Sequence, residues 1–379
     1  MNRTLGLDFG VNASDRSTAA WMSGVIFVTL TIWTVFLDEA GKYVLYTLPF
    51  TLGTIYLYFK NGVIRWNRAG VQSLFLYVSI ALISMVLNSS FNFQALREVA
   101  IVAGYLLLLT LWFRAPASTA DYCLGVLAVG MVVEAMKEGF GKSVDLFGSD
   151  GILESPLAFP IGLILLYYYQ TGQRGRSILA AILLFLAFKR ITFLGVALAV
   201  AFDMVVFSRV WPRNAARLTA LLLVLALSTI ALLSAQIFEV TATWLDLQAT
   251  SANSISLGRY DVAKRLWSGL DSRSFVQGLI GAGPGAADAA VTEIFAPLMN
   301  THNDWLKLFY DYGIVGFVIV HVVMFRTLTE NRLGTLLYIY GATLMVTDNI
   351  FIYMFYHPFV MLMLSAARRA RPPLPANQA

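Results

Sequence analysis

Three short stretches in the second half of the chain hold residues that could bind and transfer a phosphorylated group. They are AFKRITFL with Lys189 and Arg190, LGRYDVAKRLW with Arg259 and Arg265, and THNDW with His302. Arginine binds phosphate through a planar, bidentate fork and keeps its charge at any working pH. Histidine is the side chain best suited to accept a proton near neutrality. Such residues would suit a reaction in which a pyrophosphate is the leaving group and a hydroxyl loses its proton.

Each of these residues alone also has a structural interpretation. Lys189 and Arg190 stand between two apolar runs and could end a helix with snorkelling side chains. Loop arginines such as Arg259 are ordinarily solvated. A histidine at the polar end of an apolar helix, like His302, is often a helix-end residue. Their joint occurrence favours the functional interpretation.

Two glycines follow His302 within the same predicted helix. An α-helix turns about 100° and rises about 1.5 Å per residue. Gly313, eleven residues after His302, is therefore expected on the same face about 16 Å along the axis, with Gly316 nearby. Small residues on one face predict that another helix packs closely against it, with His302 at the polar end of this contact.

A polar strip is predicted on the opposite face of that helix. Asp304, Lys307 and Asp311 have the i,i+3 and i,i+4 spacing of side chains that meet. The charges of these three side chains could simply offset one another. Alternatively, Asp311 could line a channel for the acceptor substrate, since an acidic residue at that depth usually has a function.

The composition predicts that these residues belong to an all-α, polytopic membrane protein. Hydrophobic residues make up 58% of the 379 residues and charged residues only 13%, which excludes an ordinary soluble protein. Cys123 is the single cysteine, which excludes a disulfide framework and a thiolate zinc site. Residues 1–17 show no cleavage signature, so the first span is expected to be retained. About twelve transmembrane helices are predicted, at 18–37, 43–59, 69–88, 99–113, 121–136, 155–170, 177–188, 191–207, 216–235, 304–325, 333–350 and 352–367.

The basic residues predict the orientation of these spans. With both termini in the cytoplasm, the inner segments hold 16 of the 27 Lys and Arg residues and 5 of the 22 Asp and Glu residues. The positive-inside rule therefore favours this topology. It places the three chemistry-bearing stretches on the outer face, which is the periplasm if the membrane is a bacterial inner membrane.

The largest predicted loop, residues 236–303, is too long to lack structure of its own. TATWLDLQATSANS and SLGRYDVAKRLWSGL are both expected to form amphipathic helices, and GLIGAGPGAADAA a glycine turn. The second helix has apolar positions at Leu257, Tyr260, Val262 and Leu266. Residues 1–379 are interpreted as one membrane domain, with residues 368–379 as a disordered cytoplasmic tail.

On the outer face neither ATP nor nucleotide sugars are present, so an activated donor must arrive on a lipid. The stretch HNDWLKLFYDYGIVG, residues 302–316, resembles the signature of the O-antigen ligase and Wzy-type polymerase superfamily: His, Asn, nine residues, Gly, two residues, Gly. RITFL, residues 190–194, resembles that family's motif of Arg, three residues and Leu. LGRYDVAKRLW followed by GLIGAGPG resembles its large-loop pattern.

The resemblance implies a GT-C-like glycosyltransferase of the bacterial inner membrane that needs no metal and no cofactor. Its donor would be a glycan linked to undecaprenyl pyrophosphate, its acceptor a glycan or lipid A-core, and its surroundings membrane lipid, with no nucleic acid. His302 would accept the proton of the attacking hydroxyl. Arg190 and Arg259 would bind the pyrophosphate. Assistance is expected from four further residues: Lys189, Arg265, Asp311 and Asn303, the last at a helix N-terminus with its partial positive charge.

The chain departs from the family pattern at one position. An aromatic residue usually stands about four residues after the loop arginine, where this chain has Ala263, and Trp267 comes later. Arg265 could therefore be the functional arginine. The glycine before Arg259 and the acidic Asp261 after it favour Arg259.

Two other classes of function fit part of the pattern. Twelve spans with an intramembrane charge pair also suit a secondary transporter, although the two halves of the chain are not similar and the largest loop is off-centre. A non-catalytic scaffold for polysaccharide assembly is the third possibility. Within the family, the motifs do not separate a ligase from a polymerase of O-antigen or exopolysaccharide.

Overall fold

The computed structural model describes Gly24 and residues 65–66, 68–112, 118–138, 155–207, 212–244, 259–293, 301–351, 353 and 356–369. These residues form helices joined by short turns, with one antiparallel pair of two-residue strands, β1 (Arg65–Trp66) and β2 (Leu111–Trp112). The helices are α1 (Arg68–Leu87), α2 (Phe93–Thr110), α3 (Thr119–Glu138), α4 (Ala158–Thr171), α5 (Arg174–Ala187), α6 (Arg190–Phe202, continued by a π-helix, Asp203–Phe207), α7 (Arg213–Leu232), α8 (Ser234–Trp244), α9 (Arg259–Asp271), α10 (Phe275–Ile280), α11 (Ala286–Thr292), α12 (Asp304–Leu328), α13 (Arg332–Thr347) and α14 (Tyr356–Arg369).

Five of these helices are long and apolar enough to cross a membrane, which supports a multi-pass membrane protein. The segments are Gly70–Leu87, Phe93–Thr110, Arg190–Phe207, Arg213–Leu232 and Asp304–Leu328. Each overlaps a span predicted from the sequence. The total of twelve stays a prediction, because the first two predicted spans lie outside the described residues except for Gly24.

Helices α7 and α12 lie side by side in opposite directions and define two ends of the helical bundle. At one end, the Asn303 amide donates to the Ala231 carbonyl over 2.9 Å. At the other, Arg217 Nε donates to Thr329 Oγ1 over 3.0 Å. From Arg213 to Ala231 the rise is about 27 Å at 1.5 Å per residue, close to the roughly 30 Å of a bilayer's hydrocarbon core. We call these the His302 end and the Arg332 end.

Small residues let three helices approach one another in the core. Tyr340 of α13 lies so close to Gly195 of α6 that a Cβ there would stand 2.9 Å from the ring. A Cβ at Gly162 of α4 would collide with the Tyr340 hydroxyl. That hydroxyl donates to the Phe159 carbonyl over 2.8 Å. The two glycines thus leave room for the Tyr340 side chain between α4 and α6, where its hydroxyl forms a buried hydrogen bond.

Helix α12 is broken at Gly313, which corrects the prediction of a regular face of small residues. Gly313 has φ 63° and ψ −169°, outside the helical region. A Cβ there would collide with the Leu279 carbonyl, and the backbone of Gly281 is also in contact. The element packed against the glycine is therefore the end of α10 and the turn after it. A predicted regular face cannot continue through such a break.

The structure confirms the second predicted loop helix as α9. Its buried residues are Tyr260, Val262, Ala263 and Leu266; Leu257 lies outside the described residues. Leu266 and Ala263 share a small core with Leu306 of α12, so α9 packs directly on the start of that helix. The turn after α10 is also confirmed, with positive φ at Gly281, Gly283 and Gly285.

The other predicted loop helix and the tail are covered only in part. Helix α8 ends at Trp244, and residues 245–258 lie outside the described residues. Helix α14 extends to Arg369, two residues into the predicted tail, whose remainder, 370–379, is also outside.

Candidate functional site

Lys189 is buried and paired with Asp348, a residue that the sequence analysis did not select. Its Nζ lies 2.9 Å from Asp348 Oδ2, and both side chains are largely removed from solvent. The ammonium also lies 4.9 Å from the centre of the Phe159 ring. Because its charge is matched inside the protein, Lys189 serves to anchor the start of α6. A carboxylate at the end of an apolar run was the available sequence signal for Asp348.

Arg190 is the first residue of α6 and follows Lys189 directly. Unlike Lys189, its side chain is exposed. The anchored lysine fixes the backbone from which Arg190 projects. The two residues of the predicted pair therefore have different environments: Lys189 is paired inside the protein and Arg190 is exposed. Contact of either residue with substrate stays a prediction.

The turn that holds Lys189 also holds the segment around His302. The Asp304 N–H lies 3.4 Å from the Asp348 carbonyl, and the Phe351 N–H donates to Asp304 Oδ2 over 3.2 Å. Thr301 Oγ1 donates to Asn349 Oδ1 over 3.3 Å. Residues 348–351 thus bring two sequence motifs to the His302 end of the bundle, although they are far apart along the chain.

His302 itself is half-buried and has φ 45°, in the left-handed region. A non-glycine residue in that region is uncommon and costs free energy that neighbouring contacts must offset. Those contacts come from Thr301 on one side and Asn303 on the other. A conformation held in this way is typical of functional positions.

Asn303 begins α12 and uses both ends of its amide. Its Oδ1 accepts from the Leu306 N–H over 2.9 Å, as a helix N-cap. Its Nδ2 donates to the Ala231 carbonyl of α7. Asn303 therefore places the N-terminus of α12 beside His302, as expected; direct contact with substrate stays a prediction.

The two candidate loop arginines differ in their partners. Arg265 Nη2 lies 3.2 Å from Glu293 Oε2, at the end of α11. Arg259, the first residue of α9, is half-buried and forms no ion pair with any residue that the structure describes. Which of the two arginines binds an anionic ligand stays a prediction.

The start of α9 is also tied to α8. Tyr260 Oη donates to Glu239 Oε1 over 3.0 Å, and Lys264 Nζ lies 3.2 Å from the same oxygen. The hydrogen bond from Lys264, with that from Tyr260, lowers the pKa of the Glu239 carboxyl. Because this carboxyl has a lower pKa in the folded protein than in the unfolded chain, its contacts stabilise the folded state at any pH above the unfolded-chain pKa. That stabilisation is lost as the pH falls through the folded-state pKa. Arg259 thus starts a helix that is held in place at neutral pH.

Asp311 is completely buried beneath the glycine turn. Its Oδ1 accepts from the Ala287 N–H over 2.7 Å and its Oδ2 from the Gly285 N–H over 3.0 Å, at the start of α11. Its carbonyl accepts from the Gly283 N–H over 3.1 Å. The structure therefore places Asp311 as the attachment point of the loop; an acceptor channel along it stays a prediction.

Lys307 connects three elements instead of completing a polar strip on α12. Its Nζ lies 2.9 Å from Glu98 Oε2 of α2 and 2.5 Å from Asp288 Oδ2 of α11. Asp304 turns to the Phe351 N–H, and Asp311 to the glycine turn. The three residues thus hold other elements in place around α12.

Residues 176–321 match the family model for O-antigen ligases. This match confirms the resemblance that the motifs indicated. It contains all seven predicted site residues, whereas Asp348 lies beyond its end. Neither a curated protein nor a solved structure gives a match.

Residues 176–321 are therefore similar to O-antigen ligases, and the apolar helices support a multi-pass membrane protein. Within the matched region, Arg190 begins one helix, Arg259 begins another, and His302 precedes a third. The turn at 348–351 joins the first and third of these helix starts. Helix starts favour anions, because their N–H groups and dipoles point outward.

Proposed function

We propose that this protein is a glycosyltransferase that moves a saccharide from a polyprenyl-pyrophosphate donor to a hydroxyl acceptor on the periplasmic face of the bacterial inner membrane. The observation that carries the proposal is the meeting of the Lys189–Arg190 and Thr301–Asp304 segments on one turn. The O-antigen ligase match supports the same class of enzyme.

In the proposed reaction, the acceptor oxygen attacks the anomeric carbon of the donor. The bond between that carbon and the pyrophosphate oxygen breaks, and the acceptor's proton passes to a ring nitrogen of His302. Arg190 and Arg259 bind the departing pyrophosphate and stabilise its charge. Lys189 does not neutralise this charge itself, because Asp348 already pairs with it; it holds Arg190 in position.

Purified protein with a polyprenyl-pyrophosphate-linked saccharide tests this function. Offered a second lipid-linked repeat unit and, separately, lipid A-core, the enzyme should extend or ligate at least one of them. The product distinguishes a polymerase from a ligase. Transport of the saccharide across liposome membranes without any transfer product would instead support the secondary transporter.

A further inference from the structure

A cavity opens at the Arg332 end of the bundle, on the opposite side from His302. It encloses about 210 Å³ and is lined by Phe207, Arg213, Arg217, Thr329, Asn331, Arg332 and Thr335. Its walls are the end of the π-helix, the start of α7, the turn after α12 and the start of α13. Three arginines and no acidic residue are among the lining residues.

The three guanidinium groups are held in place by contacts with neighbouring elements. Arg217 donates to Thr329 Oγ1 and lies 5.3 Å from the centre of the Phe325 ring. Arg213 donates to the Glu330 carbonyl. Such restraint lowers the entropy that a bound anion would otherwise have to remove.

Arg332 is fixed by a bidentate bond to one buried carboxylate. Its Nε and Nη2 each lie 2.6 Å from an oxygen of Asp203, which also accepts from Tyr169 Oη over 3.0 Å. Asp203 offsets one of the three positive charges, and Glu330 contacts Arg213 through its backbone. Among the lining residues, Arg213 and Arg217 thus remain as positive charges beyond the Arg332–Asp203 pair.

The cavity has further groups suited to a phosphate. Asn331 and Arg332, at the N-terminus of α13, both line the cavity, and Asn331 Oδ1 accepts from the Gly334 N–H as the N-cap. A volume of about 210 Å³ greatly exceeds the roughly 10–15 Å³ that one water molecule needs.

The surface beside the cavity is apolar and exposed. Met204, Leu218 and Leu222 are 63%, 56% and 57% exposed, within two turns of the lining residues. These side chains belong to the helices that cross the membrane. A ligand with a phosphate in the cavity could thus have acyl chains along this surface.

We propose that this cavity binds the phosphate of an anionic membrane lipid on the face that the basic residues predict to be cytoplasmic. Basic pockets between transmembrane helices on that side suit anionic headgroups, and arginine forks match phosphate oxygens. The site is about 27 Å from the His302 end and is distinct from the transferase site. Its ligand would stabilise the ends of α7, α12 and α13 without taking part in the transfer.

Thermal unfolding of the purified protein in detergent tests the proposal. Added phosphatidylglycerol should raise the Tm by several degrees, whereas phosphatidylcholine, which has no net charge, should not. Arg213→Gln and Arg217→Gln should lose this shift, and Arg217→Lys, which keeps the charge but lacks the fork, should retain part of it. Arg326→Gln is the matched control, because Arg326 is exposed at the same end and does not line the cavity.

A parallel measurement with inorganic phosphate distinguishes a lipid headgroup from free phosphate as the ligand. An equal, arginine-dependent shift with phosphate alone would support the anion site with a free phosphate as its ligand. No shift with either compound, or equal shifts in all variants, would overturn the proposal. If Arg217→Gln does not fold, Arg213→Gln still decides, since the Arg213 side chain is exposed.

Discussion

Lys189 Nζ and Asp348 Oδ2 lie 2.9 Å apart inside the protein, joining the start of α6 to the turn after α13. Removing one partner of such a pair leaves a buried charge and typically costs about 3–5 kcal/mol. We therefore expect Asp348→Ala to lower the stability strongly, together with activity, in a thermal melt and a transfer assay. The double variant Lys189→Met/Asp348→Leu should recover much of the stability, because no charge remains unpaired. Wild-type stability of Asp348→Ala would show that the pair contributes nothing.

His302→Ala should remove most of the turnover and leave donor binding nearly intact. A general base typically contributes about 10²–10⁴-fold in rate, and His302 would act on the acceptor hydroxyl. The wild-type rate should also fall in acid, because a protonated imidazole cannot accept a proton, whereas chelators should have no effect. His321→Leu is the control: His321 is buried beside Ser228, 3.2 Å from its hydroxyl, so its loss should affect stability and not the rate per folded molecule. Normal product from His302→Ala would remove the proposed base.

Variants of Arg190, Arg259 and Arg265 should differ in donor binding and in activity. Arg190→Lys should impair transfer because it loses the bidentate fork, and Arg190→Ala should also weaken donor binding. Arg259→Ala should be inactive, whereas Arg265→Ala should be close to wild type, since its exposed pair with Glu293 is worth only about 0–1 kcal/mol. Steady-state kinetics with the lipid-linked donor measures both effects. The opposite result for Arg259 and Arg265 would assign the role to Arg265.

Gly313→Ala should loosen the glycine turn from α12. The added Cβ would collide with the Leu279 carbonyl, and φ 63° strains any L side chain. We expect a lower Tm and faster hydrogen exchange in α10 and α11. Gly175→Ala is the control, because nothing lies within 4 Å of its Cβ in α5; it should be neutral or gain about 1 kcal/mol or less. Unchanged exchange in Gly313→Ala would mean that the contact does not hold the loop.

The topology predicts opposite labelling at the two ends of the bundle. In a Cys123→Ser background, Ser272→Cys should react with a membrane-impermeant thiol reagent in cells with a permeabilised outer membrane. Asn214→Cys, at the start of α7, should react only after the inner membrane is lysed. Both positions are exposed, so burial cannot explain a difference. The reverse pattern would place His302 in the cytoplasm and contradict the periplasmic site proposed here.

Local features were predictable from the sequence because they depend on neighbouring residues. Runs of apolar residues indicated the spans near 69–88, 191–207 and 304–325, since a helix satisfies its own backbone hydrogen bonds in a membrane. The apolar spacing of Tyr260, Val262 and Leu266 indicated α9. The sequence around His302 and Asn303 indicated a helix N-terminus at the candidate site, and the structure added that Asn303 caps it.

Contacts between distant segments were decided only by the tertiary structure. The partners of Lys189 and Lys307 come from the turn at 348–351 and from helices α2 and α11, and no spacing rule connects those residues. Gly313 fits a regular helix in sequence terms. In the protein it breaks α12, because the backbone at Leu279 packs directly against Gly313 and leaves no room for a side chain. Several carboxylates could have matched each buried lysine, and only the packing of the helices selects which one does.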